Sequence, residues 1–274
     1  MKILITGGNG FIGRNLIKTF NKEYEIFAPL SSELDLTSTK SVEKYFQNKY
    51  FDVVIHCAIK GGRRNIQDSA FTLQQNLQMF FNLMRCKRQF DRFINFASGA
   101  DFDKSKNVNQ NNHSLSESFP TSPYGMSKNI ISRILKDANR CYNFRVYGLF
   151  GIDENEDRFM VSNIKRYKDK KPIEIHKNRY WDFFYIKDLI KIVKYYIDNP
   201  KQNLDNEMDL VYSDLLSLSN IAQLINELDN HKVEVKINEL TRDFDYIGNK
   251  TIGVNLDIEL IGLKKGLEDI YNAL

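Results

Sequence analysis

The sequence predicts an α/β protein: a doubly wound parallel sheet followed by a smaller, mixed α/β second domain. Three observations carry this expectation. A short apolar run without alternation, Ile3-Leu4-Ile5, passes straight into a glycine turn and then a segment with helical periodicity. Similar runs recur at Glu25–Ala28, Asp52–His56 and Phe93–Phe96, each separated from the next by a helical stretch. The 274 residues are 42% apolar and 12% aromatic, enough for a large core and too hydrophobic for a disordered chain.

The elements follow in order. Phe11, Ile12, Leu16, Ile17 and Phe20 form one helical stripe after the first strand. A polar turn at Ser31 and Ser32 leads into a helix near 38–47, and a long helix spans about 71–86. A helix is expected over about 123–139 and a strand over 144–147. Between them, 101–118 is the most polar stretch, read either as a solvated loop or as a substrate lid. After Gly151 the alternation loosens: helices near 158–167, 189–197 and 218–228 and an extended Ile173-Glu174-Ile175. The expected division is 1–151, joined by about 179–214, against 152–178 with 215–274.

Charge and composition exclude several classes. Lys and Arg total 39 against 35 Asp and Glu, a net +4 that makes no case for nucleic acid. Cys57, Cys86 and Cys141 are scattered, suggesting neither a disulfide framework nor a zinc site, and His113 and His176 are isolated, so no metal is expected. No apolar run approaches the ~20 residues of a membrane helix. The start turns to Thr-Gly-Gly after three apolar residues, unlike a signal peptide, and a reduced, cytoplasmic setting is expected.

Two motifs carry chemistry. In Thr6-Gly7-Gly8-Asn9-Gly10-Phe11-Ile12-Gly13, Gly7 allows the tight turn, Gly10 lets a pyrophosphate reach backbone N–H groups at the helix N-terminus, and Gly13 permits close helix–strand packing. Tyr124 and Lys128 stand four apart on one helix face, where the ammonium favours a phenolate and makes Tyr124 a general acid for a carbonyl oxygen. Ser98 follows the Phe93–Phe96 strand, at the edge where parallel-sheet sites open, and its hydroxyl can bond the same oxygen.

Together these residues resemble the extended short-chain dehydrogenase/reductases, and within them the NAD-dependent epimerase/dehydratase group that modifies nucleotide-activated sugars, nearest the GDP-fucose synthase and 4-keto-sugar reductase branch. The resemblance implies a Rossmann-type sheet, a nicotinamide cofactor, a nucleotide-diphosphate sugar and a homodimer formed through a four-helix bundle. It assigns Asp35 and Leu36 to the adenine end of the cofactor, Cys57 and Ala58 to the turn after the third strand, and Asn76 to the following helix. Asn9, Phe11 and Ile12 belong to the same cofactor set. Arg145–Gly151 is similar to the family's Arg-x-x-Asn-x-Tyr-Gly, with Gly148 and Phe150 departing, and Trp181–Asp188 is similar to Arg-Asp-Phe-x-Tyr-Val-x-Asp. Gly99, Lys60, Arg179 and Arg242 join Ser98 as expected substrate contacts. The Lys60-Gly61-Gly62-Arg63-Arg64 loop reads equally as a solvated turn. His56 is expected to be a core residue, and Met79, Phe80 and Leu83 core or dimer interface.

The departures narrow the chemistry. Dehydratases of this group carry Thr-Asp-Glu from the position of Ser98; here Gly99 and Ala100 stand in place of both carboxylates. The cysteine and histidine used by dual-function epimerase/reductases are replaced by Ala100 and by Arg158 or Phe159. What survives is hydride transfer at one carbon: C4 ketoreduction of a nucleotide-linked 4-keto-6-deoxy sugar, with 4-epimerisation or a non-catalytic nucleotide sensor as alternatives. The second strand ends at Ala28-Pro29-Leu30-Ser31-Ser32 with no carboxylate before Glu33. With Arg14 nearby, that favours NADP(H), NAD(H) remaining possible; as readily, Arg14 is an exposed helix residue.

Overall fold

In a computed structural model the described residues are 1–62, 66–103, 114–241, 244–252 and 254–274. Contacts divide the chain into two compact units. The first holds Met1–Asp103, Ser114–Arg145 and Val193–Met208; the second holds Val146–Ile192 and Asp209–Leu274.

The first unit alternates strand and helix: β1 (Lys2–Thr6), α1 (Phe11–Phe20), β2 (Glu25–Phe27), α2 (Thr39–Phe46), β3 (Phe51–His56), α3 (Ala70–Arg85), β4 (Phe90–Ser98), α4 (Pro123–Leu135) and β5 (Cys141–Val146). Two further elements start in one unit and end in the other by sequence, α6 (Ile186–Asp198) and β9 (Glu207–Leu210). The six-stranded sheet has the order β2-β1-β3-β4-β5-β9. The β1–β2, β1–β3 and β3–β4 pairs are parallel, with Ile3 opposite Val53 and Val54 opposite Phe93. Ile3, Leu4, Ile5, Val53, Val54 and Ile55 are all fully buried, which explains their unbroken apolar runs. This is a Rossmann-like doubly wound sheet, and its order reverses between β1 and β3, the switch point at whose carboxyl edge sheets of this kind bind ligands.

Helix ends follow local chemistry. Ser38 caps α2 by accepting from Ser41 N, and Ser122 caps α4 by accepting from Gly125 N with Pro123 in the first turn. Met79, Phe80 and Leu83 of α3 are buried against Leu4, Val54, Phe93 and Ile131, so they are core residues. The expected helix over 123–139 stops at Leu135, and β5 begins at Cys141 rather than 144. Asn143 hid the strand: it is fully buried, accepting from Asn95 Nδ2 (2.7 Å) and donating to Ser132 Oγ (2.9 Å).

The second unit carries β6 (Gly148–Phe150), α5 (Phe159–Lys168), β7 (Ile173–Lys177), β8 (Phe183–Tyr185), α7 (Leu218–Asn226), β10 (Val235–Glu239) and α8 (Leu263–Ala273). Its strands form two small parallel pairs, β6–β8 and β7–β10. Among the described residues no helix is long and apolar enough to cross a membrane.

Candidate active site

The glycine turn is built by close backbone approach. Gly7 has φ +68°, and a Cβ there would lie 2.5 Å from Ala58 N at the end of β3. A Cβ on Gly13 would lie 2.4 Å from Gly7 O, so α1 can start only where position 13 is bare. Gly10 N donates to Gly7 O (2.9 Å), and Gly10 caps α1 without any side chain. The first turn of α1 carries no acidic residue, so its N–H groups and the positive end of the helix dipole suit a phosphate. Asn9 and Gly10 are exposed and Phe11 and Ile12 half-buried; Arg14 is exposed, its guanidinium 5.7 Å from the centre of the Phe11 ring.

Beyond β2, Glu33 turns its carboxylate onto Leu30 N (2.8 Å), while Ser31 and Ser32 are exposed. Asp35 is exposed and accepts from Thr37 N (2.9 Å) and Thr37 Oγ1 (2.7 Å). Leu36 is buried, its carbonyl accepting from Asn82 Nδ2 (2.9 Å).

At the end of β3, His56 Nδ1 lies 2.8 Å from Thr6 Oγ1; burial, reinforced by Lys128, pushes its pKa down to about 3, so the ring is neutral. Burial pushes the Cys57 thiol up, which keeps it protonated. Asn76, almost fully buried on α3, clamps the next loop: its Nδ2 donates to Lys60 O (3.0 Å) and Ser127 Oγ (3.0 Å), and its Oδ1 accepts from Lys60 N (2.9 Å). The Lys60 side chain is exposed. Gly62, at φ +71°, sits against the phenol: a Cβ there would lie 2.8 Å from Tyr124 Cε2. Gly62 N donates to Asp68 Oδ1 (3.0 Å). Arg63 and Arg64 lie outside the described residues.

Ser98 ends β4. Its Oγ accepts from Ala100 N (3.2 Å) and its N–H donates to Asp101 Oδ1 (3.3 Å), so Ser98, Gly99 and Ala100 form a tight, largely buried turn. A Cβ on Gly125 would lie 2.6 Å from Ala100 O, so this turn packs directly on α4 one residue beyond Tyr124. Lys128 is buried, donates from Nζ to Phe96 O (2.5 Å), and has Nζ 5.9 Å from the centre of the Tyr124 ring. Burial pushes its pKa down to about 8, opposed by the charge of Asp101. The structure thus places the glycine turn, the β3 loop, the Ser98 turn and the Tyr124–Lys128 helix face in one unit.

In the second unit, the Arg179 guanidinium lies 4.2 Å from the centre of the Trp181 ring, and Trp181 stacks on Phe183 at 5.4 Å. A Cβ on Gly148 would lie 2.9 Å from Trp181 Nε1. The indole therefore occupies room that any larger residue at 148 would take, so the departures at 148 and 181 are sterically linked. Arg242, expected to contact substrate phosphates, lies outside the described residues.

The model of the NAD dependent epimerase/dehydratase family matches residues 3–213. The chain belongs to that family. It is accordingly an NAD(P)-dependent enzyme. It is 27% identical over 295 residues to the GDP-6-deoxy-D-talose 4-dehydrogenase of Aggregatibacter actinomycetemcomitans, a match covering 99% of this chain and 97% of that one. In fold it is similar to a GDP-D-glycero-L-gluco-heptose synthase from Campylobacter jejuni crystallised in the presence of NADPH (TM-score 0.78, 17% identity, 99% and 97% of the two chains). The UDP-glucuronic acid 4-epimerase of Bacillus cereus, solved with NAD, also shares the fold (TM-score 0.71, 20% identity, 100% and 98%).

As in a member of this family, the bare Gly10 cap and the uncapped first turn of α1 fit a dinucleotide pyrophosphate. Three features escaped the sequence reading: the Gly62–Tyr124 contact, the Asp68 anchor and Asp101. The Gly61-Gly62 dipeptide was a visible signal for the first. Nothing in the polar run after Ala100 marked Asp101 as a fully buried residue.

Proposed function

We propose that this enzyme reduces the 4-keto group of a nucleotide-diphospho-4-keto-6-deoxy sugar, with NADPH favoured over NADH, in cytoplasmic synthesis of surface-polysaccharide precursors. The observation that carries the reading is the Ser98-Gly99-Ala100 turn. It packs on the helix that carries Tyr124 and the buried Lys128 while offering neither of the carboxylates that dehydration needs. Asp101, in the same turn, is ion-paired to Arg145 (3.1 Å) and fully buried, so it is no substitute acid.

When bound, the nicotinamide supplies the hydride. Gly10 and the first turn of α1 would hold its pyrophosphate, with Asn9, Phe11 and Ile12 around it, and Asp35 and Leu36 would stand near the adenine. Arg14, Ser31 and Ser32 would receive a 2′-phosphate, since Glu33 is turned away onto Leu30 N. Cys57, Ala58 and Asn76 shape the adjoining wall. Tyr124 donates the proton to the carbonyl oxygen, Ser98 donates a hydrogen bond to it, and Lys128 favours the phenolate left behind. Gly99, Lys60, Arg179 and Arg242 are the proposed substrate contacts. The names of relatives, a GDP-6-deoxy-D-talose 4-dehydrogenase and a GDP-L-colitose synthase, support a nucleotide-diphosphate sugar as the substrate class. The enzyme would act as a homodimer through α3 and α4, which leave Phe81 and Ile134 on the surface.

A 4-epimerase is the second reading, favoured by the shared fold with the UDP-glucuronic acid epimerase and by needing the same three residues. Incubation with NADPH and a GDP-4-keto-6-deoxy sugar discriminates: one NADPH consumed per sugar is expected. Interconversion of 4-epimers on a retained NAD, with no net NADPH loss, overturns the reductase reading.

A further inference from the structure

We propose that Asp101 is a positioning residue: it fastens the Ser98 turn to the helix carrying Tyr124 and Lys128, and supplies the buried negative charge that keeps Lys128 protonated. The inference rests on the reading in which Tyr124 and Lys128 act on the substrate carbonyl.

The geometry is specific. Asp101 is fully buried in the short helical turn Gly99–Asp101. Oδ1 accepts from Ser98 N (3.3 Å); Oδ2 accepts from Ser132 Oγ (2.7 Å) and Arg145 Nε (3.1 Å). Its carbonyl accepts from Asn129 Nδ2 (2.8 Å). Tyr124, Lys128 and Ser132 fall at i, i+4 and i+8 of α4, one stripe on one face, so Asp101 grips the stripe that carries the chemistry. A neutral amide would not serve equally: Ser98 N–H points at one oxygen and Ser132 Oγ and Arg145 Nε at the other, so an amide NH2 would face a donor on one side. The charge itself has a use.

Lys128 is faced by His56 and Cys57 from the end of β3, the Phe96 carbonyl from β4, Tyr124 from its own helix and Asp101 from the turn. His56 is neutral and Cys57 protonated; burial pushes the Asp101 carboxyl up, but Arg145, Ser132 and Lys128 oppose that, and Asp101 is the group among these whose negative charge favours the ammonium. Behind it, Arg145 bonds Glu207 (3.1 Å), giving a series of alternating charge, Lys128, Asp101, Arg145 and Glu207, buried except at Glu207. Removing the Asp101 charge would leave two buried cations with one outer carboxylate, and the cation free to lose a proton is Lys128.

The test follows Lys128 directly, through the 13Cε resonance of lysine-labelled full chain assigned with Lys128→Arg. The wild-type midpoint is expected near 8. Asp101→Asn, which keeps an acceptor oxygen, should lower it by ~1 pH unit. Ser132→Ala, which removes one hydrogen bond and no charge, should leave it in place. An unmoved midpoint in Asp101→Asn overturns the inference, as does an equal displacement in Ser132→Ala. If Asp101→Asn does not fold, Glu207→Gln at the partly exposed end of the series should move the midpoint the same way by less, and no movement overturns the inference. Turnover of Tyr124→Phe tests the catalytic reading separately, because the Lys128 titration needs no substrate.

Discussion

The two units fasten their backbones by different means. The first brings strands and helices together at positions with no side chain: Gly7 against Ala58, Gly13 against Gly7, Gly62 against Tyr124, Gly125 against Ala100. The second also sets Gly148, Gly248 and Gly266 close against aromatic side chains, but in addition gathers its loops around buried carboxylates. Asp188 accepts from Ile261 N, Gly262 N and Tyr212 Oη; Asp182 accepts from Gly248 N with Lys250 nearby; Asp209 accepts from Tyr147 Oη and Asn249 N. A bare backbone contact is indifferent to pH, whereas a buried carboxyl group is not. Asp101 is the exception in the first unit, and it stands beside the site.

Two buried groups, one in each unit, are perturbed with opposite consequences for stability. In the second unit Glu154, its side chain 8% exposed, is raised to about 8 by burial, with Arg158 at 3.5 Å opposing that shift. In the first unit His56 is lowered to about 3. The folded chain therefore holds a proton on Glu154 that the unfolded chain releases. Stability from this group is complete below the ordinary glutamate pKa of 4.5 and is lost as pH rises toward 8. For His56 the folded chain refuses a proton that the unfolded chain takes up below 6.5, so stability is lost as pH falls from 6.5 toward 3.

The largest expected effect is that of Glu154. Its contribution should fall by roughly 1.4 kcal/mol per pH unit between 4.5 and 8, a slope absent from Glu154→Gln in urea midpoints taken across that range. Parallel slopes in both proteins would show that Glu154 is ionised when folded. Gly13→Ala comes next: the added methyl must displace Gly7 O, costing about 2–3 kcal/mol at every pH and abolishing dinucleotide binding by calorimetry. If the cost varied with pH, the distinction between bare and carboxylate fastening would fail. His56 gives the smallest effect near neutrality. Wild type should lose about 1 kcal/mol from pH 6.5 to 5.5 relative to His56→Asn, and an equal loss in both would place a charged histidine in the fold.

Strand runs, helix stripes and the glycine turn were legible because apolar periodicity and bare positions leave marks in the sequence. Ser98, Tyr124 and Lys128 were legible as a spacing plus a strand end. Buried polar groups were not. Asn95, Asn143, Ser132 and Asp101 look like surface residues until their partners, far apart in sequence, are known. Asn76 illustrates a subtler case: its position was visible, but its grip on the Lys60 backbone and on Ser127 is a matter of three-dimensional reach. Trp181 read as the loss of an arginine; in the structure its indole and Gly148 share one space.

The central claim, that Tyr124 is the proton donor in a net reduction, is tested most directly by NADPH oxidation with a GDP-4-keto-6-deoxy sugar in wild type and Tyr124→Phe. The account predicts one NADPH consumed per sugar in wild type and a rate lower by ~100-fold or more in the variant, with cofactor binding retained. A variant that reduces the sugar at the wild-type rate would contradict it.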